Sequence, residues 1–326
     1  MATLKRSGWG VAVAVALMLA AGAAHAAETY PAKPIRLIAL SSPGSGPDVV
    51  GRLLGAKFTE GMGQQVVIDT RPGASGIIGT EIAAHAAPDG YTLVIITSQA
   101  TIVSVMYNKL SYSLVKDFTP ISLVGKTPFI LAVNPQVPAR SIREFIELAK
   151  SKPGELRYGS GGSGSPPHLS AEMLKSMTGI NLQHIPYKGV TPAMTATIAG
   201  QVQMVISVIP AILPTIRAGQ LRALGVTSAQ RAALVPDVPA IAETVPGYEF
   251  IGWYSIFAPV GTPSAIIEKL NHQIVQAVQS PSMQKRLPSL GIEPITSTPK
   301  ELAAYLAVQV KKMRAAVEAS GARRDQ

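Results

Sequence analysis

The sequence predicts an α/β fold on parallel sheets, and three observations carry that prediction. Apolar strand-like runs alternate with segments whose apolar residues recur at helical spacing. Gly-, Ser- and Pro-rich loops fall where a strand hands over to a helix. Hydrophobic residues make up 47% of the 326 and charged residues only 15%, which excludes a disordered chain. Aromatics are 5%, so the core is built from Ala, Val, Ile and Leu. A prior of about 150 residues per domain suggests two domains.

The first segment reads as an address. Lys5 and Arg6 precede an unbroken apolar run from Val11 to Leu19, and Ala24-His25-Ala26 follows as a small-x-small cleavage site. This is the three-part pattern of a secretory signal, assigned to residues 1–26. The run is shorter than the roughly 20 apolar residues a membrane-spanning helix needs. The expectation is export, with a soluble mature chain beginning near Ala27. Losing Lys5 and Arg6 lowers the formal charge of +10 by two.

Ile35 to Leu40 is the first expected strand, Ser41 to Pro47 a loop, and Asp48 to Phe58 a helix with Val50, Leu53, Leu54 and Phe58 on one face. Gln65 to Asp69 is a strand, Gly76 to Ala86 a helix, and Tyr91 to Thr97 a strand rich in β-branched residues. Ser141 and Glu144 have the spacing of a capping box for a helix ended by Pro153-Gly154. Leu156 to Tyr158 is a short strand before the loop Gly159 to Pro167, and Ser170 to Met177 is helical. Thr262-Pro263 and Thr298-Pro299 each place a capping hydroxyl before a first-turn proline.

Several chemistries are excluded or weakly supported. Cys is 0, which removes disulfides, thiolate metal sites and cysteine nucleophiles. Gly159, Gly161 and Gly164 spell G-x-G-x-x-G, but no acidic residue follows about 20 positions on to hold a ribose. There is no phosphate loop of the G-x-x-x-x-G-K type and no G-x-S-x-G elbow. His168 and Glu172 lie one helical turn apart without an evident third ligand, so neither a metal nor a cofactor is expected. The basic residues are scattered, which argues against nucleic-acid binding.

Two loops remain: Ser41-Ser42-Pro43-Gly44-Ser45-Gly46-Pro47-Asp48 and Ser160-Gly161-Gly162-Ser163-Gly164-Ser165. Each follows a strand and precedes a helix, the place where open α/β folds bind ligands. Helix starts favour anions, glycines let the backbone come close, and serines add donors. The bland alternative is a pair of tight connections. An exported esterase using Ser163 or Ser165 is another, although no spacing supplies its histidine and acid.

The chain resembles the Bug-type periplasmic receptors of tripartite tricarboxylate transporters. Tyr30-Pro31-Ala32-Lys33-Pro34-Ile35 is similar to the start of their mature chains. The likeness continues through Arg71-Pro72-Gly73-Ala74, Pro88-Asp89-Gly90-Tyr91-Thr92-Leu93, Gly164-Ser165 with His168-Leu169, and Pro186-Tyr187-Lys188-Gly189. Gly200-Gln201-Val202-Gln203, Trp253-Tyr254 and Gly261-Thr262-Pro263 complete an ordered set over nearly the whole mature chain.

The resemblance implies a fold like that of type II periplasmic binding proteins: two α/β domains, a ligand cleft and two interdomain crossings. Domain 1 would be residues 27–127 and 250–326, and domain 2 residues 128–249. The implied ligand contacts are Ser41, Ser42, Gly44, Ser45 and Asp48 on one side, facing Ser160, Gly162, Ser163, Gly164 and Ser165. Ser98, Thr101 and Ser207 would border the cleft, His168 would orient the second loop, and Trp253 or Tyr254 would stack on an aromatic acid. Ser207 stands where the family often has Asp, which favours a simple carboxylate over an amino acid. The implied protein is a periplasmic monomer that passes a small organic acid anion to membrane transporter subunits, or presents it to a membrane sensor.

Overall fold

The computed structural model describes residues 30–320, so the expected export signal lies outside the described residues. Strand β1 (Ile35–Ala39) leads to helix α1 (Gly46–Met62), β2 (Val66–Thr70), a 3-10 turn (Ala74–Gly76), α2 (Ile77–Ala84), β3 (Thr92–Thr97) and α3 (Ser98–Met106). The long β4 (Phe118–Val133) is followed by α4 (Ile142–Ser151), β5 (Arg157–Ser160), α5 (Pro166–Thr178), β6 (Gln183–Pro186), α6 (Val190–Ile198), β7 (Met204–Val208), α7 (Ile209–Arg217) and β8 (Arg222–Val226). After a 3-10 turn (Ile241–Glu243) come β9 (Ile251–Pro259), α8 (Ser264–Gln279), α9 (Pro281–Ser289), the short β10 (Glu293–Pro294) and α10 (Pro299–Ser320).

The strands form one mixed sheet in the order β2-β1-β3-β9-β4-β7-β5-β6, with β8 and β10 also paired to β4. The outer pairs, β1 with β2 and β3, and β5 with β6 and β7, are parallel, as the alternation of strands and helices requires. The centre is antiparallel, because β4 and β9 run against their neighbours. Strand β4 joins the two halves: Phe118 to Pro128 pairs with β9, and Phe129 to Val133 pairs with β7. The fold is thus α/β with two halves joined through β4 and the return into β9.

The buried side chains divide in the same way. Leu37, Val50, Leu54, Phe58, Leu93, Ile256 and Leu270 pack in one half. Leu131, Phe145, Tyr158, Leu169, Leu174 and Ile206 pack in the other, and Ile102 and Met106 of α3 reach into that second core.

Helix boundaries follow capping chemistry. Helix α1 starts at Gly46, two residues before the expected Asp48, and ends on Gly63, whose φ of 69° is left-handed. Helix α5 starts at Pro166 rather than Ser170, because both prolines fit the first turn, where no amide bond is lost. The Ser141 hydroxyl accepts from the Glu144 amide, but the Glu144 carboxylate takes the amide of Arg140 rather than that of Ser141. The Thr298–Glu301 box is reciprocal, at 3.2 and 2.8 Å. Thr262 does not cap: its hydroxyl donates back to the Pro259 carbonyl, and α8 starts at Ser264.

Candidate functional site: a cleft between two glycine–serine loops

The β1–α1 and β5–α5 loops line one cavity of about 630 Å³. Ser41, Ser42 and Pro47 come from the first loop, and Gly161, Gly162, Ser163, Gly164, Ser165 and Pro166 from the second. Ser98 at the start of α3, Thr127 and Phe129 of β4, Val208 of β7, and Trp253 and Tyr254 of β9 complete the walls with the 72–76 turn. No residue lining it carries a charge. Any positive potential there comes from backbone dipoles and helix starts.

Several amides of the two loops are used to shape the loops. Gly44 N–H donates to the Asp48 carboxylate at 2.8 Å and Ser45 N–H to the Ser42 carbonyl at 3.2 Å. Gly162 N–H donates to Ser160 Oγ, Ser165 N–H to the Gly162 carbonyl, and Gly164 N–H to His168 Nδ1. Prolines 47, 166 and 167 have no N–H to offer. The amides of Gly46, Asp48, Gly161, Ser163 and His168 have no protein acceptor among the described residues. Gly161 and Ser163 line the cavity itself.

Asp48 is 2% exposed and does not line the cavity. It accepts from Gly44 and pairs with Arg52 at 3.0 Å. The Arg52 hydrogen bond, with help from the Gly44 amide, holds its carboxyl below the usual range against the cost of burial. Ser45 is half-buried with its hydroxyl against that of Ser41, while Gly44 is exposed and lines an adjoining cavity.

Beneath the second loop lies a stack of three rings. His184 sits 4.9 Å from Tyr158 and 4.0 Å from His168, centroid to centroid. Burial, reinforced by the nearby His184 and Lys175, pushes His168 down to about 3. It is therefore neutral, and because Nδ1 accepts from Gly164 its proton sits on Nε2. Burial lowers His184 as well. Glu172 closes the cluster by accepting from the Tyr158 hydroxyl and from Lys175 at 2.8 Å. The serine–histidine contact here joins Ser160 to His184 at 2.6 Å, and Ser160 is fully buried. Among the described residues neither Ser163 nor Ser165 bonds a histidine, and Ser165 Oγ, buried, has no partner. Nor do three His, Asp or Glu side chains gather as a metal site among them.

The remaining sequence candidates spread out. Ser98 and Trp253 line the cavity. Thr101, Ser160, His168 and Ser207 are buried and stand behind the wall. Thr101 donates to the Ser98 carbonyl at 2.7 Å, so it fixes the first turn of α3. Ser207 Oγ is buried with no partner among the described residues. The turn at Pro72–Gly76 and Phe129 are wall elements that the sequence candidates omit, and Tyr254, the alternative to Trp253, also lines the cavity. In that turn Ala74 and Ser75 have φ of 46° and 57° between two left-handed glycines. Two consecutive non-glycine residues in this region are uncommon, and such strain gathers at functional sites.

With this geometry in place, the likeness to known proteins is decisive. The profile of the tripartite tricarboxylate transporter family receptor matches residues 50–322. The chain belongs to this family. It is 37% identical over 303 residues to protein BugT of Bordetella pertussis, covering 91% of this chain and 92% of that one. Among solved structures, R. palustris Rpa4515 with adipate superposes with a TM-score of 0.76 at 33% identity, covering 90% of this chain and 98% of that one. MatC from Rhodopseudomonas palustris with bound malate gives 0.73 at 29% identity, covering 88% and 100%. The two-domain fold of periplasmic solute receptors is therefore that of this family member. No helix among the described residues is long and apolar enough to cross a membrane.

Proposed function

We propose that the chain is an exported receptor that holds a small carboxylate, a dicarboxylate, tricarboxylate or aromatic acid, between its two loops and delivers it to a membrane transporter. The observation that carries this reading is the uncharged cavity bounded by both glycine–serine loops, where the amides of Gly161 and Ser163 have no protein acceptor. Relatives of the same fold were solved with adipate and with malate. We take residues 27–127 with 250–326 as domain 1 and 128–249 as domain 2. The crossings near Lys126 and Phe250 then form a hinge whose closure buries the ligand, the motion typical of periplasmic binding proteins.

In this reading Ser41, Ser42, Ser98, Gly161, Ser163 and Ser165 contact the carboxylate directly or through water. Phe129, Trp253 and Tyr254 pack on the body of the acid. Gly44, Ser45, Asp48, Gly162 and Gly164 shape the loops, and Thr101, Ser160, His168 and Ser207 support them from behind. Micromolar affinity needs about 8 kcal/mol, and charge-assisted hydrogen bonds supply about 1.5–3 kcal/mol each. A handful of such bonds in a closed cleft suffices without a counter-ion. A thermal-shift screen of dicarboxylates, tricarboxylates and aromatic acids on the mature chain is the test. A rise in melting temperature for an acid, with compaction in solution scattering, supports the receptor. Serine-dependent ester turnover, lost in S163A or S165A, supports the enzyme instead.

A further inference from the structure

The cleft does not end at the main cavity. A second cavity of about 380 Å³ is lined by Gly44, Gly46, Val49, Pro210, Ala211, Leu290 and Ile292, and it shares Thr127, Val208 and Tyr254 with the first. Thr127 and Val208 are held in the sheet, opposite Gly252 and Phe129 respectively. Tyr254, the remaining shared residue, is by far the largest. Its hydroxyl lies against the α-carbon of Gly46, where an added β-carbon would overlap the oxygen and stand 3.2 Å from Cζ. Gly46 has no left-handed φ, so a glycine is needed there for space rather than for backbone freedom.

We propose that Tyr254 is the partition that ends the ligand cavity and so selects the length of the bound acid, with Gly46 kept bare to let the phenol lie across the cleft. This rests on the carboxylate-receptor reading above. The Tyr254 hydroxyl has no hydrogen-bond partner among the described residues, which leaves it for a polar group at the far end of the ligand, a second carboxylate or a hydroxyl. Burial raises its pKa, so it remains a donor across the physiological range. A shorter side chain at 254 would merge the two cavities into one channel.

The test uses the mature chain and two homologous series: straight-chain α,ω-dicarboxylates of increasing length and ω-phenylalkanoates. Dissociation constants are measured by calorimetry for wild type, Y254L, Y254F, G46A and the G46A/Y254L double variant. Y254L keeps an apolar contact with the core and should shift the preference towards longer acids by about tenfold in the ratio of long to short. Y254F should leave the length preference in place and weaken the diacids more than the phenylalkanoates. G46A drives the phenol further into the main cavity and should favour shorter acids. Its effect should vanish in the Y254L background, a non-additivity expected only when the two residues act through one contact. Acid binding with the same length ranking in Y254L and wild type overturns the partition and leaves the receptor reading standing. A wild type that binds neither series overturns the partition, and one that also binds no acid of the thermal-shift screen overturns the receptor reading with it.

Discussion

The Gly164 amide donates to His168 Nδ1 at 3.1 Å, so the second loop is tied to the first turn of the helix that follows it. The bond requires an unprotonated Nδ1, and the surroundings of His168 supply that condition. The ring is 4% exposed, stacked on His184, with Lys175 close by and Glu172 Oε1 4.0 Å from Nε2.

Acid should therefore loosen the second loop. His168 ionises near the ordinary 6.5 when unfolded and near 3 when folded, so between those values the unfolded chain binds more protons. Stability is full above 6.5 and falls as the pH drops towards 3. Urea midpoints from about pH 4 to about pH 7 should rise with pH, and H168N, which keeps an acceptor near the Nδ1 position, should show a shallower slope. A slope identical to that of wild type would mean that His168 is not the group being titrated.

The first loop has an acidic tie of its own. Asp48 bonds the Gly44 amide and Arg52, and its carboxyl is held below the usual range. Its contribution is present above the unfolded pKa and lost as the pH falls through the folded one. D48A should lower stability and weaken acid binding together, whereas D48N should retain the Gly44 bond through its amide oxygen and lose only the Arg52 charge pairing. Calorimetric binding and chemical denaturation of both variants test this. Equal effects from the two would show that the charge, not the Gly44 bond, matters.

Gly164 has a φ of 75°, and a β-carbon there would lie 2.5 Å from Met106 Sδ. G164A should cost about 1–2 kcal/mol from its left-handed backbone alone, with a further loss from the Met106 contact. M106A should relieve the second part but not the first. A double-mutant cycle by denaturant unfolding reads the coupling directly. Strict additivity would place the whole cost in the backbone.

Strands β1, β2, β3 and β5 were legible because apolar runs there alternate with helical periods or turn signals, whereas β6 and β7, which pair with β5 in the sheet, were not. The two loops were legible because glycine, serine and proline mark strand-to-helix turns. Strand β4 was not, because Pro120, Gly125 and Pro128 interrupt a run that otherwise reads as strand. Two of these fall where its register with β9 shifts, and Pro128 is the last residue paired to β9 before β4 joins β7. Thr262 looked like a cap because threonine before proline usually is one, yet the nearby Pro259 carbonyl takes its hydroxyl. In the site, sequence identified loop composition and named His168 as an orienting residue beside the second loop, but it placed Asp48 among the ligand contacts. Asp48 sits at a ligand-like position and spends its carboxylate on the Gly44 amide and Arg52, and Tyr254, the alternative to Trp253 in the sequence, reaches the cleft from a strand far along the chain.

The polar lining contributed by main chain has a consequence for how this receptor can change. The amides of Gly161 and Ser163 survive every point substitution except one to proline, so under the proposed function drift in the aromatic and aliphatic wall would re-tailor the tail of the solute while these two donors to its acidic head persist. In that reading release would follow from parting of the two walls, since no charged residue lines the cavity.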